Sequence, residues 1–383
     1  MKPEHEARSV LFVLHQMGTL DHAVSLWRQL KDAGAEVHFA LAEDQLEMPE
    51  WVGEETTGVT IIGDPLEAIS ERRYDAVVMQ VPYDDLKDPV WATIGPDDAF
   101  IVYAGYSVWI VEWEHGGHGL PFYQRCSLVL ASSKFEQDAF TDSDFAPVAA
   151  AWSGDPLMYE MVQAASSAEV PSNEPSASNS SSPVILWTPH WTETWVDGNP
   201  GFASWKITVH DVLASARKNT QATFVVRGHP LMKVEGDDRI SQKAARAFRK
   251  FLALPNVRVS SSSMRHDMLE STAHITDGVG IIAYYSTTAK PMAVIRLGYR
   301  WPPYNAAGRA LVDASTTVHD SKSIRRWLDA ACAGSLESDY RRMDLVSQLF
   351  PLQDVSPGEF LLDSLPAGTG PASSLETASI VSA

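Results

Sequence analysis

Two cysteines in 383 residues, Cys126 and Cys332, stand far apart with no CxxC partner. That excludes a disulfide framework and a thiolate zinc site, and it suits a reducing compartment. Long apolar runs are missing too. No stretch approaches the about 20 residues needed to cross a bilayer. Residues 10–14, the first apolar run, are too short and too soon followed by polar residues for a secretory signal. A cytoplasmic protein is expected. Positive charge is scarce: 30 Lys and Arg against 49 Asp and Glu leave a net charge of −19. Nucleic acid, whose phosphates call for clustered Lys and Arg, is excluded as a partner. Without a basic run, contact with an anionic membrane is expected to be peripheral at most. No Walker A or GxGxxG pattern follows the first apolar run, where Leu14-His15-Gln16-Met17-Gly18 stands instead. No G-x-S-x-G elbow occurs, since Ser153 lacks the preceding glycine.

What is present is an ordinary globular composition, 45% apolar and 21% charged, in a chain long enough for two domains. Short Val-, Ile- and Leu-rich runs at residues 10–14, 37–41, 59–62, 76–79, 100–103 and 128–131 read as buried strands. Between the first two, Leu20, Val24, Trp27 and Leu30 share a helical face, with Thr19 placed to cap the start and Gly34 to end it. This is the βαβ unit of a parallel sheet. The alternation stops at Gln163, and residues 164–182 are almost wholly Ser, Ala, Pro, Asn and Glu, which cannot bury enough apolar surface to order themselves. It then restarts, with strands expected at 184–187, 222–226, 257–259, 274–276 and 293–297. Helices are expected near 206–216, 241–254, 265–271, from about 280, and at 321–333. The expected fold class is therefore α/β, with two Rossmann-like domains facing each other. Residues 1–163 form an acceptor-side domain, 164–182 a flexible linker, 183–363 a donor-binding domain and 364–383 a disordered tail.

Ligands in such folds sit beyond the carboxyl ends of the strands, so polar residues just after the apolar runs are the candidates. Arg227-Gly228-His229-Pro230 follows one strand. A forked guanidinium, a glycine that admits close backbone approach and an imidazole donor suit a pyrophosphate leaving group. An arginine paired to a carboxylate in a strand-end turn is the competing reading. Thr276-Asp277-Gly278-Val279-Gly280 lies between a strand and a helix, where backbone N–H groups can bind an anion; a tight turn with Asp277 as cap competes. In Thr188-Pro189-His190-Trp191-Thr192, His190 can orient a phosphate or act as a base, or else pack among Trp187, Trp191 and Trp195. Pro82-Tyr83-Asp84 and Gly105-Tyr106-Ser107 mark further strand ends. His115 and His118 have a spacing possible for a metal, but the glycines around them deny a rigid helix and few carboxylates stand near, so no metal site is expected.

Taken in order, these segments resemble the family of CDP-glycerol:polyol glycerophosphotransferases and related cell-wall polymer enzymes, which have the two-domain GT-B fold. Residues 75–84 resemble its "D-hydrophobic run-Q-x-P-Y-D" segment, 102–107 its "Y-x-x-G-Y" strand end and 153–157 its "G-x-P" turn. Residues 185–191 are similar to "W-x-P-H", 227–230 to "R-P-H-P", 254–257 to "L-P-N-V" and 275–291 to "I-T-D-S-S-S-F-x-x-E-Y…G-K-P". The resemblance covers most of residues 70–310. It implies that His229, with Arg227 and Gly228, holds the donor phosphates, that Thr276, Asp277, Gly278 and Gly280 form the phosphate turn, and that Thr188 and His190 line the cleft. His229 and His190 are the implied catalytic residues.

The implied activity is transfer of glycerol phosphate, or a related group, from a nucleotide-diphosphate donor such as CDP-glycerol to a polyol, glycan or lipid-linked hydroxyl. No cofactor is implied beyond the donor nucleotide, and no metal. The sequence departs from the pattern in two places. Gly278, Val279 and Gly280 replace the three serines, with Tyr284 where an acidic residue is expected. The family's first-domain histidine, in a "W-H-G" element, has Gly105-Tyr106-Ser107 in its place, with His115 or His118 as candidate substitutes. Two alternatives follow from these departures: a GT-B glycosyltransferase using a nucleotide sugar, and a degenerate nucleotide-binding protein without turnover.

Overall fold

The computed structural model describes residues 8–14, 19–42, 48–55, 60–62, 64–82, 94–95, 99–112, 119–167, 182–191, 201–229, 232, 242–298 and 301–366, and in them the chain forms two parallel sheets. The first holds β1 (Ser9–Leu14), β2 (Glu36–Leu41), β3 (Thr60–Ile62), β4 (Ala76–Met79), β5 (Ile101–Ala104), β6 (Leu128–Ala131) and β7 (Ala150–Trp152). Around it lie α1 (Leu20–Asp32), α2 (Glu50–Glu55), α3 (Pro65–Glu71), α4 (Lys134–Thr141) and α5 (Pro156–Ser167). The second holds β8 (Val184–Thr188), β9 (Thr223–Val226), β10 (Val257–Val259), β11 (Ala273–Thr276), β12 (Met292–Ile295) and β13 (Thr316–Val318). Its helices are α6 (Trp205–Lys218), α7 (Gln242–Leu252), α8 (Met264–Glu270), α9 (Gly280–Ser286), α10 (Ala306–Asp313), α11 (Ser321–Cys332), α12 (Tyr340–Leu349) and α13 (Pro357–Ser364).

The continuous apolar runs have a direct cause: each central strand is covered on both faces. In β1, Val10, Phe12 and Leu14 enter one core with α1, while Leu11 and Val13 enter another with Tyr123 and Phe140. In β8, Ile185 and Trp187 pack with α6 and α7, and Leu186 packs on the opposite face with α9 and α10.

The strand orders, β3-β2-β1-β4-β5-β6-β7 and β10-β9-β8-β11-β12-β13, both reverse direction beside their first strand. Each sheet thus has a crevice at the carboxyl ends of its two central strands, between β1 and β4 and between β8 and β11. The expected α/β class and the two sheets are as read from the sequence.

Several boundaries differ. Helix α5 runs on to Ser167, into the stretch read as linker; residues 168–181 lie outside the described residues. Thr19 makes no side-chain cap to α1, although the helix does end before Gly34, whose N–H donates to the Lys31 carbonyl. The short edge strands β7 and β13 and the helices α10, α12 and α13 were not marked by the sequence pattern. Helix α13 belongs to the first sheet's layer rather than the second's: Leu361 and Leu365 are buried in the core that holds α1. The helix accordingly reaches Ser364, and residues 367–383 lie outside the described residues.

The chain therefore crosses between its halves twice, and α13 fastens the return. A Cβ on Gly358 would stand 2.6 Å from the Gln29 Cβ and 2.7 Å from the Leu30 backbone nitrogen. Gly358→Ala is expected to cost about 1–3 kcal/mol through this overpacking, read as a lowered midpoint in urea unfolding. An unchanged midpoint would mean that α13 does not press on α1.

Candidate functional site

The crevice between β8 and β11 is lined by the residues that end those strands, and its polar groups are bonded largely to one another. The Thr188 hydroxyl donates to the Thr276 hydroxyl at 2.7 Å, which in turn donates to the Thr188 carbonyl at 2.8 Å. Since the Thr188 proton is so engaged, His274 Nε2, 2.7 Å away, donates to the Thr188 hydroxyl. Burial pushes the His274 imidazole down to about 3. The Gly278 N–H donates to the Thr276 hydroxyl at 2.8 Å. Thr188, Thr276 and the Gly278 amide, expected as donor-binding groups, thus form an internal chain of hydrogen bonds.

Asp277 is fully buried and accepts from the His190 N–H at 2.8 Å, the Ser204 N–H at 2.5 Å and the Ser204 hydroxyl at 2.7 Å. Burial raises its carboxyl, and these donors oppose the rise. It joins the end of β11 to the end of β8 and to the start of α6.

His190, so held, stacks on Phe202 with ring centroids 4.7 Å apart and faces His229 at 4.9 Å. Burial depresses both imidazoles, His229 to about 4 and His190 well below its usual value, the neighbouring His229 adding to the effect. Both are neutral at pH 7: they can donate or accept a hydrogen bond but bring no positive charge. Gly228 is exposed and Arg227, His229 and Gly280 are half-buried, whereas Thr188, His190, Thr276, Asp277 and Gly278 are buried. Pro230 and Thr192 lie outside the described residues, as do Tyr83, Asp84, His115 and His118. Among the described residues no three His, Cys, Asp or Glu gather to hold a metal ion, and no helix is long and apolar enough to cross a membrane.

Arg227 follows the competing reading. Its guanidinium is gripped by Asp21 at 2.5 Å and Asp267 at 3.1 Å, and also donates to the Ser260 hydroxyl and the Ser262 carbonyl. Asp21 comes from the first turn of α1 and also accepts from the Met264 N–H at 2.5 Å, so one carboxylate joins the two halves through an arginine and the start of α8.

A second junction lies deeper. Tyr284 donates to Asp155 at 3.0 Å and accepts from the Val108 N–H at 2.9 Å. Burial and the adjacent Asp155 charge hold its phenol well above the usual range. Beside it Ser107 abuts Gly280 so closely that a Cβ there would collide with the serine hydroxyl.

Below Ser107, at the carboxyl ends of β5, β6 and β7, is a cavity of about 10 Å³, lined among others by Gly105, Ser107, Ser132, Glu136 and Asp155. Glu136 is 5% exposed. Its Oε2 accepts from the Ser132 N–H and hydroxyl, each at 2.5 Å. Burial pushes its carboxyl up to about 7, and the Asp155 charge adds to the rise. Asp21, Asp155, Glu136 and Tyr284 were not singled out as site residues from the sequence. Glu136 carried a local signal, the Ser133-x-x-Glu136 capping pattern, and Asp155 another, its place just before Pro156 at the start of α5.

No sequence-family model matches the chain, and no curated protein matches it. Solved structures do. The wall teichoic acid polymerase TagF superposes with a TM-score of 0.58 at 10% identity, covering 94% of this chain and 88% of TagF. A putative UDP-N-acetylglucosamine 2-epimerase from Listeria monocytogenes gives 0.55 at 10% identity, covering 94% and 95%. The UDP-GlcNAc 2-epimerase of Neisseria meningitidis bound to UDP-GlcNAc gives 0.55 at 12%, covering 94% and 99%. The fold is GT-B. Identities this low speak for the fold alone, and they agree with the two-sheet architecture expected from the resemblance.

Two outcomes test this geometry. Asp21→Ala leaves Arg227 and the Met264 N–H each short of an acceptor and is expected to cost about 1–3 kcal/mol, measured by chemical denaturation. Glu136 has a folded-state pKa raised from 4.5 to about 7. Its contribution to stability is full at pH 4 and is lost as pH rises through about 7. The melting temperature is expected to fall over that window, and Glu136→Gln to flatten the fall; an identical slope in both proteins would contradict the burial of the carboxyl.

Proposed function

We propose that the protein is a transferase that moves glycerol phosphate, or a closely related group, from a nucleotide-diphosphate donor such as CDP-glycerol to a hydroxyl acceptor. The observation that carries this reading is the pairing of His190 and His229 at the mouth of the β8–β11 crevice. These histidines lie in two of the segments that resemble the glycerophosphotransferase pattern, within a fold also found in a wall teichoic acid polymerase. In this reading His229, with the exposed Gly228 backbone, donates hydrogen bonds to the donor pyrophosphate, and His190 orients it. The chemistry is in-line displacement at phosphorus, with the leaving nucleoside monophosphate taking the electrons of the broken P–O bond. Arg227 reaches a phosphate only by exchanging one of its carboxylates for it. No metal or other cofactor is called for.

A second reading, an enzyme acting on a nucleotide sugar, is favoured by the turn Gly278-Val279-Gly280, which lacks the hydroxyls of the glycerophosphotransferase pattern, and by the two epimerases that share the fold. A thermal-shift series with CDP, UDP, GDP and CDP-glycerol separates the two, because a ligand at a hundredfold its Kd stabilises by about 2.7 kcal/mol. The expected result is the largest shift with CDP and CDP-glycerol, together with CMP release from CDP-glycerol that His229 supports: His229→Ala should lower that release by about 100-fold. Preference for UDP, with UDP-sugar consumed and no CMP released, would replace the first reading by the second.

A further inference from the structure

The cavity below Ser107 is lined by two carboxyl groups in different surroundings, Asp155 in the turn 153–157 and Glu136 outside every segment that suggested the function. Asp155 is tied down on several sides. It accepts from the Met158 N–H at 2.7 Å and from Tyr284 at 3.0 Å, and His22 Nδ1, buried and without a hydrogen-bond partner, stands 3.7 Å from it. Glu136 is the opposite case. Both Ser132 donors fall on its Oε2, so Oε1 has no partner among the described residues while the side chain lines the cavity. One carboxyl closed in by donors and another with an open oxygen thus line the same cavity at the carboxyl ends of a parallel sheet, where acid–base sites are built. The cavity of about 10 Å³ has room for one water, or for the oxygen of one hydroxyl group.

Its position ties it to the other half. Ser107 is both a wall of this cavity and the residue that abuts Gly280. Ser107 thus stands between the cavity and the turn 276–280 of the second sheet.

We propose that Glu136 is the general base of the transfer, taking the proton from the acceptor hydroxyl in the cavity beneath Ser107. The inference rests on the transferase reading above. The acceptor oxygen forms a bond to the phosphorus that carries the glycerol. The bridging P–O bond breaks, its electron pair leaving with the nucleoside monophosphate, and the hydroxyl proton goes to Glu136 Oε1. Burial and the charge of Asp155 place the Glu136 carboxyl at about 7, where a base both accepts a proton and exists in its accepting form. The groups that face it are Asp155, the hydroxyls of Ser132 and Ser107, and, beyond Asp155, the Tyr284 phenol and His22. None of these carries a fixed positive charge that would pull the carboxyl down.

The competing role for Glu136 is to cap the loop before α4 by accepting from Ser132, and glutamine can do that equally well with its amide oxygen. CMP release from CDP-glycerol in the presence of a polyol is therefore followed against pH for the full-length wild type, Glu136→Gln and Glu136→Asp, with melting curves for each. The wild-type rate is expected to rise with pH through about 7. Glu136→Gln is expected to melt normally, to lose at least about 100-fold in kcat with little change in KM for the donor, and to lose the acid limb. Glu136→Asp should keep a limb at a shifted pH. A Glu136→Gln enzyme within threefold of wild type, with the same limb, overturns the assignment and leaves Glu136 a cap. A wild type that releases CMP from no donor overturns the transferase reading itself, and the base with it; the two failures are told apart by whether the wild type turns over.

Discussion

Asp277 is a fully buried carboxyl group, and the carboxyl ends of the second sheet are arranged around the donors it needs. Removing a carboxylate from solvent costs several kcal/mol, and the donors that offset it come from three separate stretches of chain: His190, Ser204 and the turn of Asp277 itself. Meeting its demand fixes where β8 stops, where α6 starts and how the turn before α9 leaves β11. The direction of the His190 ring follows from its backbone N–H being held, and the His190–His229 contact follows from that ring. The Thr188–Thr276 hydroxyl chain next to it is a second hydrogen-bonded network in the same crevice, and such networks make a geometry stiff because a member that turns strands another.

The strands of both sheets were legible because they are covered on both faces. A run such as residues 10–14 has to be apolar throughout, and that is a signal contained in the run itself. The edge strands β7 and β13 carry no such requirement: Ala-Ala-Trp and Thr-Thr-Val are partly exposed and read as nothing in particular. Helix α13 was illegible for another reason. Its apolar face matches α1, more than three hundred residues earlier, and a local pattern says that a face is apolar without saying what covers it. Thr19 had the right residue type in the right place for a cap, yet its backbone is already in the helical region, from which the side chain does not reach the first-turn amides.

The strand-end rule located the crevice, but the residue types read there as ligand groups mostly turned out to serve one another. Buried polar groups need partners whether or not a ligand comes, so a threonine, aspartate or arginine at a strand end is equally consistent with binding and with internal bonding. What decides between them is the partner, and the partner is remote: Asp21 lies 206 residues before the arginine it grips. Spacing within a motif carries no trace of it. The same distance hid Tyr284 and Asp155, which bond across the halves.

The loss of the serine turn reads differently once the two halves are seen together. The resemblance places hydroxyls at residues 278–280, where this chain has Gly278, Val279 and Gly280. At the last of these the space of a side chain is already filled by the Ser107 hydroxyl of the facing half. A serine at 280 and this approach of Ser107 exclude each other, because the added Cβ would fall on the oxygen it would have to pass. The glycine is therefore what permits the contact, and the contact brings a hydroxyl to the spot from the opposite side of the cleft. Such a hydroxyl differs from one on the turn in a single physical respect: it is present only while the halves touch. Polarity at the turn is thereby supplied by the facing half, and the residue that supplies it, Ser107, is also a wall of the cavity that Glu136 lines.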